Sequence, residues 1–265
     1  MGYETIIVEK SEGVQTITLN RPHTLNAWDR QMGLDATQAL DDARKDPDVK
    51  VVVFTGAGRG FSSGADVNLL AEAAEHHSHL GNLVNRGPSI VSVALQMRRL
   101  EKPVIGAING VTAGGGFGVA LACDLRIASD RAQFSQVFVK RGLVPDVGCT
   151  FFLPKLIGAE KALELIFTGD MIDARKALEL GLVGRVVAHE DLMKETLGLA
   201  KRLAAGPPIA MGLAKRAVYQ GLESSDLPAH MELELSFNNL CFFTEDAKEG
   251  VQSFRERRSP KFRGR

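Results

Sequence analysis

Val49-Lys50-Val51-Val52-Val53-Phe54-Thr55 runs into Gly56-Ala57-Gly58-Arg59-Gly60 and then Phe61-Ser62-Ser63-Gly64-Ala65-Asp66. Further along, Val104-Ile105-Gly106-Ala107-Ile108 runs into Asn109-Gly110 and then Ala113-Gly114-Gly115-Gly116. Both segments read as a buried strand, a glycine-rich turn and a helix start. In the first strand Lys50 is the only charge, the pattern of a strand covered on both faces. Turns of this kind leave backbone N–H groups unpaired, and the helix dipole adds positive potential. Glycine lets a ligand come close to the backbone. Two such donors converging on one point would make an oxyanion hole. Close packing of helix on strand is the plainer account of either turn alone.

The flanking sequence extends the alternation. Ile6-Ile7-Val8 and Ile17-Thr18-Leu19 read as strands joined by a turn at Glu12-Gly13. Asn26 has the chemistry to cap a helix running through Gln31 to Arg44. Leu125-Arg126-Ile127-Ala128 gives another strand, and the whole pattern argues for an α/β core. From about Ala159 onward helices take over, with one apolar stripe at Ala162, Leu163, Leu165 and Ile166 and another at Leu192, Leu197, Leu199 and Leu203. Pro207-Pro208 starts a helix through Lys215 and Val218. Leu227 to Phe243 is apolar on most sides, so it needs cover, and a second subunit is one source. The expected organisation is an α/β core over residues 1–200 and a helical oligomerisation region over 201–265.

The 265 residues allow one large domain or two small ones. The 32 basic and 32 acidic residues cancel, which argues against a nucleic-acid binder built on bulk charge. Cys123, Cys149 and Cys241 are widely spaced and form no CxxC, so neither a disulfide framework nor a zinc knuckle is expected. A reducing, cytoplasmic setting fits that usage. Met1-Gly2-Tyr3-Glu4 opens without a basic stretch and apolar run, so no signal peptide is expected. Val104 to Cys123 carries no charge and is about long enough to mimic a membrane span. Its glycines, with Asn109 and Thr112, fit a buried strand, turn and helix better.

Several chemical motifs compete. Gly56-x-Gly58-x-Gly60 lacks the final spacing of a dinucleotide fingerprint, and no Gly-Lys-Ser/Thr marks a P-loop. Gly60-Phe61-Ser62-Ser63-Gly64 satisfies G-x-S-x-G, but several residues separate Thr55 from Ser62, unlike a nucleophile elbow. His76-His77-Ser78-His79 resembles a metal cluster, although adjacent histidines seldom converge, and a solvated loop or helix explains them. One of the three could still line a pocket. Arg255, Arg257, Arg258, Lys261, Arg263 and Arg265 make a basic C-terminus, either solvated or binding phosphate. Asp146 lies in Gly142-Leu143-Val144-Pro145-Asp146-Val147-Gly148, with Phe134, Phe138, Phe151 and Phe152 nearby in sequence. A carboxylate among apolar groups has a raised pKa suited to proton transfer. A turn or helix-cap Asp is the plainer reading.

Taken together, these residues resemble the crotonase superfamily, also called enoyl-CoA hydratase/isomerase. The resemblance rests on Leu19-Asn20-Arg21-Pro22 with Asn26-Ala27, Phe61–Asp66, Lys102-Pro103-Val104-Ile105, Asn109-Gly110 through Gly116, Ala122-Cys123-Asp124 and the Pro145–Gly148 turn. It continues in Thr168-Gly169, Ala174, Ala177, Glu249-Gly250, Phe254, Arg258, Pro260 and Phe262, and so covers nearly the whole chain. It implies an α/β spiral of ββα units with a C-terminal helical trimerisation region, assembled as a homotrimer or hexamer. It implies a CoA thioester substrate, with coenzyme A as part of the substrate and no separate cofactor or metal. By position, the oxyanion donors are the N–H groups of Ala65 and Gly115. His23, Leu25, Ser63 and the turn Ala65, Asp66, Val67 and Asn68 fall where the family contacts CoA.

The resemblance also carries a departure. Hydratases of the family place and protonate water with two glutamates, and those positions here are Gly118 and Phe138. Asp146 falls instead where family isomerases carry a catalytic aspartate, and the stretch from Phe134 to Asp146 looks most like the phenylacetyl-CoA ring-epoxide isomerase and related enoyl-CoA isomerases. The expected activity is therefore acyl-CoA isomerisation, moving a double bond or opening a ring through an enolate with Asp146 as the one acid/base. A hydratase or acyl-CoA hydrolase using Asp146 and water, or a non-catalytic acyl-CoA-binding member, are the alternatives. No nucleic acid or membrane partner is expected.

Overall fold

The computed structural model describes residues 2–75 and 88–265. Strands β1 (Ile6–Ser11) and β2 (Val14–Leu19) pair antiparallel, with Ser11 opposite Val14. Glu12 and Gly13 between them both have positive φ, the backbone twist that suits a two-residue hairpin. Helix α1 (Arg30–Lys45) follows and buries Met32, Ala36, Ala39, Leu40 and Ala43 along one stripe. Its cap is Asp29, whose carboxylate accepts the Met32 N–H at 2.8 Å, and not Asn26 as the sequence suggested. Asn26 is drawn away because it is fully buried with φ +56 and fastens a different loop.

Three successive units then build the spiral. The first is β3 (Val51–Gly56), β4 (Gly60–Ser62) and α2 (Val67–Glu75). Helix α3 (Ile90–Arg99) leads to the second, β5 (Val104–Ile108), β6 (Val111–Ala113) and α4 (Gly115–Ala122). The third is β7 (Leu125–Ser129), β8 (Gln133–Ser135) and α5 (Cys149–Ile157). Strands β3, β5 and β7 are parallel neighbours in one sheet, and β4, β6 and β8 are parallel neighbours in a second. Each turn of the chain thus adds one strand to each sheet, which is the expected spiral of ββα units. The chain continues through α6 (Ala159–Thr168), β9 (Ile172–Asp173), α7 (Ala174–Leu180) and β10 (Arg185–Val187). The larger sheet has the order β1-β2-β3-β5-β7-β10, and the smaller β4-β6-β8-β9.

The uncharged stretch from Val104 to Cys123 resolves into β5, β6 and the short, wholly buried α4. Among the described residues no helix is long and apolar enough to cross a membrane. Helix α8 (Leu192–Ala204) lies across the large sheet and buries Leu192 and Ala200 against Val51, Val53 and Ile105. The expected boundary at residue 200 falls inside this helix, and a further helical stretch follows Ala204. It comprises α9 (Pro208–Gly221), α10 (Leu227–Phe242) and α11 (Glu245–Glu256).

A buried ionic knot ties α9 to the spiral. Lys215 Nζ lies 2.7 Å from Asp124 Oδ2 and also donates to the Met97 carbonyl at 2.8 Å. Tyr219 donates its hydroxyl to Asp124 Oδ1 at 2.6 Å, and Asp124 Oδ2 accepts the Val104 N–H at 2.7 Å. Burial pulls the Lys215 pKa below its ordinary value, against the pull of Asp124. Removing one partner of such a pair strands a buried charge, so both residues are needed together. The thiols of Cys123 and Cys149 are buried and unpaired by any disulfide, and desolvation pushes both pKa values up to about 12. They behave as small apolar groups.

Candidate active site

The two glycine-rich turns meet backbone to backbone. A Cβ on Gly56 would stand 2.2 Å from the Gly60 carbonyl oxygen, and one on Gly110 would stand 2.0 Å from that of Arg59. Two buried asparagines fasten this crossing. Asn26 donates to the carbonyls of Ala57 at 3.0 Å and Gly60 at 2.8 Å, while its Oδ1 accepts the Arg21 N–H at 2.9 Å. Asn109 donates to the carbonyls of Gly58 at 3.0 Å and Gly60 at 3.1 Å and accepts the Gly56 N–H at 3.1 Å. Amide side chains can donate and accept at once, which is what a loop with both kinds of orphan backbone group requires.

The chain then presents Ala65. Trp28 donates its backbone N–H to the Gly64 carbonyl at 2.8 Å, and its own carbonyl accepts the Asp66 N–H at 2.9 Å. Along an extended chain successive N–H groups point to opposite sides. Gly64 and Asp66 therefore face Trp28, and the Ala65 N–H faces away from it. Gly115 is the first residue of α4, so its N–H has no acceptor within the helix. Neither N–H meets an acceptor among the described residues. Gly64, at φ +95, brings them together: a Cβ there would lie 3.0 Å from the Gly115 nitrogen and 2.9 Å from the Ala113 carbonyl oxygen. Two unpaired N–H groups thus lie on either side of the Gly64 approach, and paired donors of this kind are what a carbonyl oxygen gaining negative charge requires.

The surroundings of Gly115 are apolar. A Cβ on Gly115 would meet Ile90 Cδ1 at 2.9 Å and Val147 Cγ2 at 3.3 Å, and one on Gly114 would meet Val137 Cγ2 at 3.5 Å. Val147 is buried and holds φ +52, a conformation that costs a β-branched residue about 1–3 kcal/mol. It also closes the space above Gly118, where a Cβ would stand 2.6 Å from the Val147 Cβ. Phe138 packs into the core. Asp146 precedes Val147 and is exposed, so the burial among phenylalanines that its sequence neighbours promised is not there. Phe134 and Phe138 turn into the core, while Phe151 is itself exposed. The Asp146 carbonyl accepts the Cys149 N–H at 2.9 Å, which fixes the turn into α5.

The remaining sequence candidates divide. Ser63 donates its hydroxyl to the Thr24 carbonyl at 2.9 Å and its N–H to the Leu25 carbonyl at 2.9 Å. This brings the exposed His23 and the half-buried Leu25, at φ +54, beside the Ala65 strand. Val67 and Asn68 open α2 and are exposed. Asp66 is buried and already engaged: it lies 2.9 Å from Arg21 Nη1 and accepts the Asn68 N–H at 3.0 Å. Those bonds, the Asn68 N–H first, hold its carboxyl below the usual range. Ser62 is no nucleophile elbow. It is fully buried, donates to the Asn26 carbonyl at 2.9 Å, and packs so that a Cβ on Gly116 would stand 2.6 Å from its Oγ. His76, His77 and His79 lie outside the described residues, and among the described residues no cluster could hold a metal ion. In the basic tail, Arg258 grips Glu249 at 2.6 and 2.9 Å and Arg265 pairs with Glu245, so these two serve to pin the C-terminus.

Two residues of the site gave no sequence signal of their role. Trp28 acts through its backbone, and Val147 through a left-handed conformation that no propensity assigns to valine.

A family model for enoyl-CoA hydratase/isomerase matches residues 9–265. The chain is 37% identical over 267 residues to a crotonyl-CoA hydratase of Syntrophomonas wolfei, covering 99% of each protein. It is 36% identical to a 1,2-epoxyphenylacetyl-CoA isomerase of Escherichia coli, again over 99% of each. Among solved structures it matches an enoyl-CoA hydratase subunit of Geobacillus kaustophilus with a TM-score of 0.91 and 38% identity, covering 99% of both chains. An enoyl-CoA hydratase of Bacillus anthracis matches with a TM-score of 0.90 and 33% identity over 99% of this chain and 100% of that one. With its spiral of ββα units and a match over nearly its whole length, the chain belongs to the enoyl-CoA hydratase/isomerase family.

Proposed function

We propose that the protein is an acyl-CoA isomerase. The thioester oxygen sits between the Ala65 and Gly115 N–H groups, which stabilise the enolate by about 3 kcal/mol or more per donor. Asp146 takes a proton from one carbon and returns it to another, shifting a double bond or opening a ring. The observation that carries this reading is the closure of position 118. Val147 occupies the space a side chain at 118 would enter, and Phe138 is in the core. Neither position at which the family resemblance puts a hydratase glutamate can hold or protonate water. Asp146 adjoins Val147, whose side chain touches the Gly115 corner, and its carboxyl group is the one we assign to the reaction. The reaction asks for no metal or redox group. CoA would run past His23, Leu25, Ser63, Val67 and Asn68, with Asp66 holding that loop through Arg21.

Hydration by Asp146 and a water is the second reading. It is favoured by the exposure of Asp146 and by the hydratase names of several relatives. The test is mass spectrometry of products from a panel of enoyl and ring-containing CoA thioesters. Isomers of unchanged mass support the proposal, hydroxyacyl-CoA or free CoA replaces it, and binding without turnover leaves only an acyl-CoA carrier.

The reading extends to assembly. On α10 and just beyond it Leu227, Met231, Leu235, Leu240, Phe242 and Phe243 are exposed in the single chain. So much apolar surface is unusual on a monomer. A homotrimer or hexamer at micromolar concentration is the expected result of sedimentation equilibrium, and a monomeric mass contradicts it.

A further inference from the structure

Val147 is the one β-branched residue with positive φ among the described residues. The two glycines of the same segment, Gly142 and Gly148, take positive φ at no steric cost. Valine at 147 therefore meets no backbone requirement that glycine would not meet better, and its side chain must account for its presence. That side chain is buried against α4. Its Cγ2 lies 3.3 Å from the place of a Cβ on Gly115, and its Cβ and Cγ1 lie 2.6 and 2.8 Å from the place of a Cβ on Gly118. It thus covers the helix from the oxyanion donor to the next turn, continuing the apolar wall of Ile90 and Val137. An isopropyl group displaces enough room for one water, about 30 Å³. The Val147 carbonyl oxygen, 2.7 Å from the place of a Cβ on Gly118, stands at the edge of that room as a polar partner.

We propose that Val147 is a specificity-determining plug: its side chain fills the place beside the Gly115 donor where a second carboxylate or a water would otherwise stand, and so commits the enolate to isomerisation. The inference rests on the isomerase reading. In that reaction Asp146 removes the α-proton of a β,γ-unsaturated thioester. The C–H electron pair moves onto the thioester oxygen as a dienolate, and the proton is delivered to the γ-carbon. No oxygen atom enters. Hydration instead adds a water's hydroxyl to the β-carbon and a proton to the α-carbon, and it needs a water held at the wall that Val147 occupies.

The test uses Val147→Gly, which keeps the left-handed backbone and removes only the side chain. A β,γ-unsaturated hexenoyl-CoA is supplied in oxygen-18-labelled water, and isomer and labelled hydroxyacyl-CoA are counted. The ratio of hydrated to isomerised product is expected to rise ~10-fold or more over the parent. An unchanged ratio in a folded variant, with the parent isomerising, overturns the plug and leaves the isomerase reading standing. A parent that leaves the β,γ-unsaturated thioester unchanged yet hydrates its α,β isomer overturns the isomerase reading itself. A second pair reads the packing without any reaction. Gly118→Glu should lower the melting temperature sharply alone, and less so together with Val147→Gly. Equal destabilisation in both backgrounds shows that the Val147 carbonyl, and not its side chain, closes position 118, and overturns the proposal.

Discussion

Gly115→Pro is expected to lower turnover by ~100-fold or more while the protein stays folded. Position 115 is the first of α4, where proline is well tolerated because that N–H has no helical partner and the ring's fixed φ suits a helix start. What the substitution removes is the donor. The new Cβ would meet Ile90 Cδ1 at 2.9 Å, the far end of a flexible side chain, and Val147 Cγ2 at 3.3 Å. Gly115→Ala places a Cβ in the same spot and keeps the N–H, so it separates crowding from the lost hydrogen bond. The measurement is kcat and KM for both variants, with thermal unfolding by circular dichroism as the control for folding. A fall in kcat for proline that alanine does not share assigns the donor to the transition state. Parent kinetics in a folded proline variant would remove Gly115 from the mechanism.

The path from sequence to this site was uneven, for physical reasons. Val49–Thr55 and Val104–Ile108 were readable because strands covered on both faces must be apolar throughout, and both became strands of the large sheet. The turns after them were readable as places of close backbone approach, and Gly56 and Gly110 serve that approach where the two turns cross. The start of α1 was misread because Asn26 and Asp29 are both capping types three residues apart. Only the structure shows that Asn26 spends its amide on the 57–60 loop. The surroundings of Asp146 were misread in another way. Four phenylalanines near it in sequence promised an apolar pocket, yet two enter the core and one is exposed, so closeness along the chain did not become enclosure. The departure at Gly118 was visible as a missing carboxylate, but its cause was not. That a valine at positive φ fills the gap follows from a backbone angle, which sequence patterns do not encode.

Asp146→Asn is expected to lower turnover by ~100-fold or more with KM for the thioester little changed, because the amide keeps the shape of the side chain and loses the proton carrier. The turn should survive the change, since its anchor is the backbone bond from the Cys149 N–H to the residue 146 carbonyl. The elimination behind this expectation is structural as well as chemical. Ser62 is locked to the Asn26 carbonyl, Asp66 is bound to Arg21, and the thiol of Cys149 is buried with its pKa pushed up to about 12. Each could otherwise have served as base or nucleophile. Solvent deuterium should enter the product to the extent that the carried proton exchanges before its return. Gly115→Pro and Asp146→Asn then fail differently: the first leaves the proton carrier without a stabilised enolate, the second leaves the oxyanion site without a carrier. Because both act in the same step, the double variant should be little slower than the worse single one. An Asp146→Asn enzyme that isomerises at the parent rate would make the aspartate mechanism wrong and move the search for the base to His76, His77 and His79.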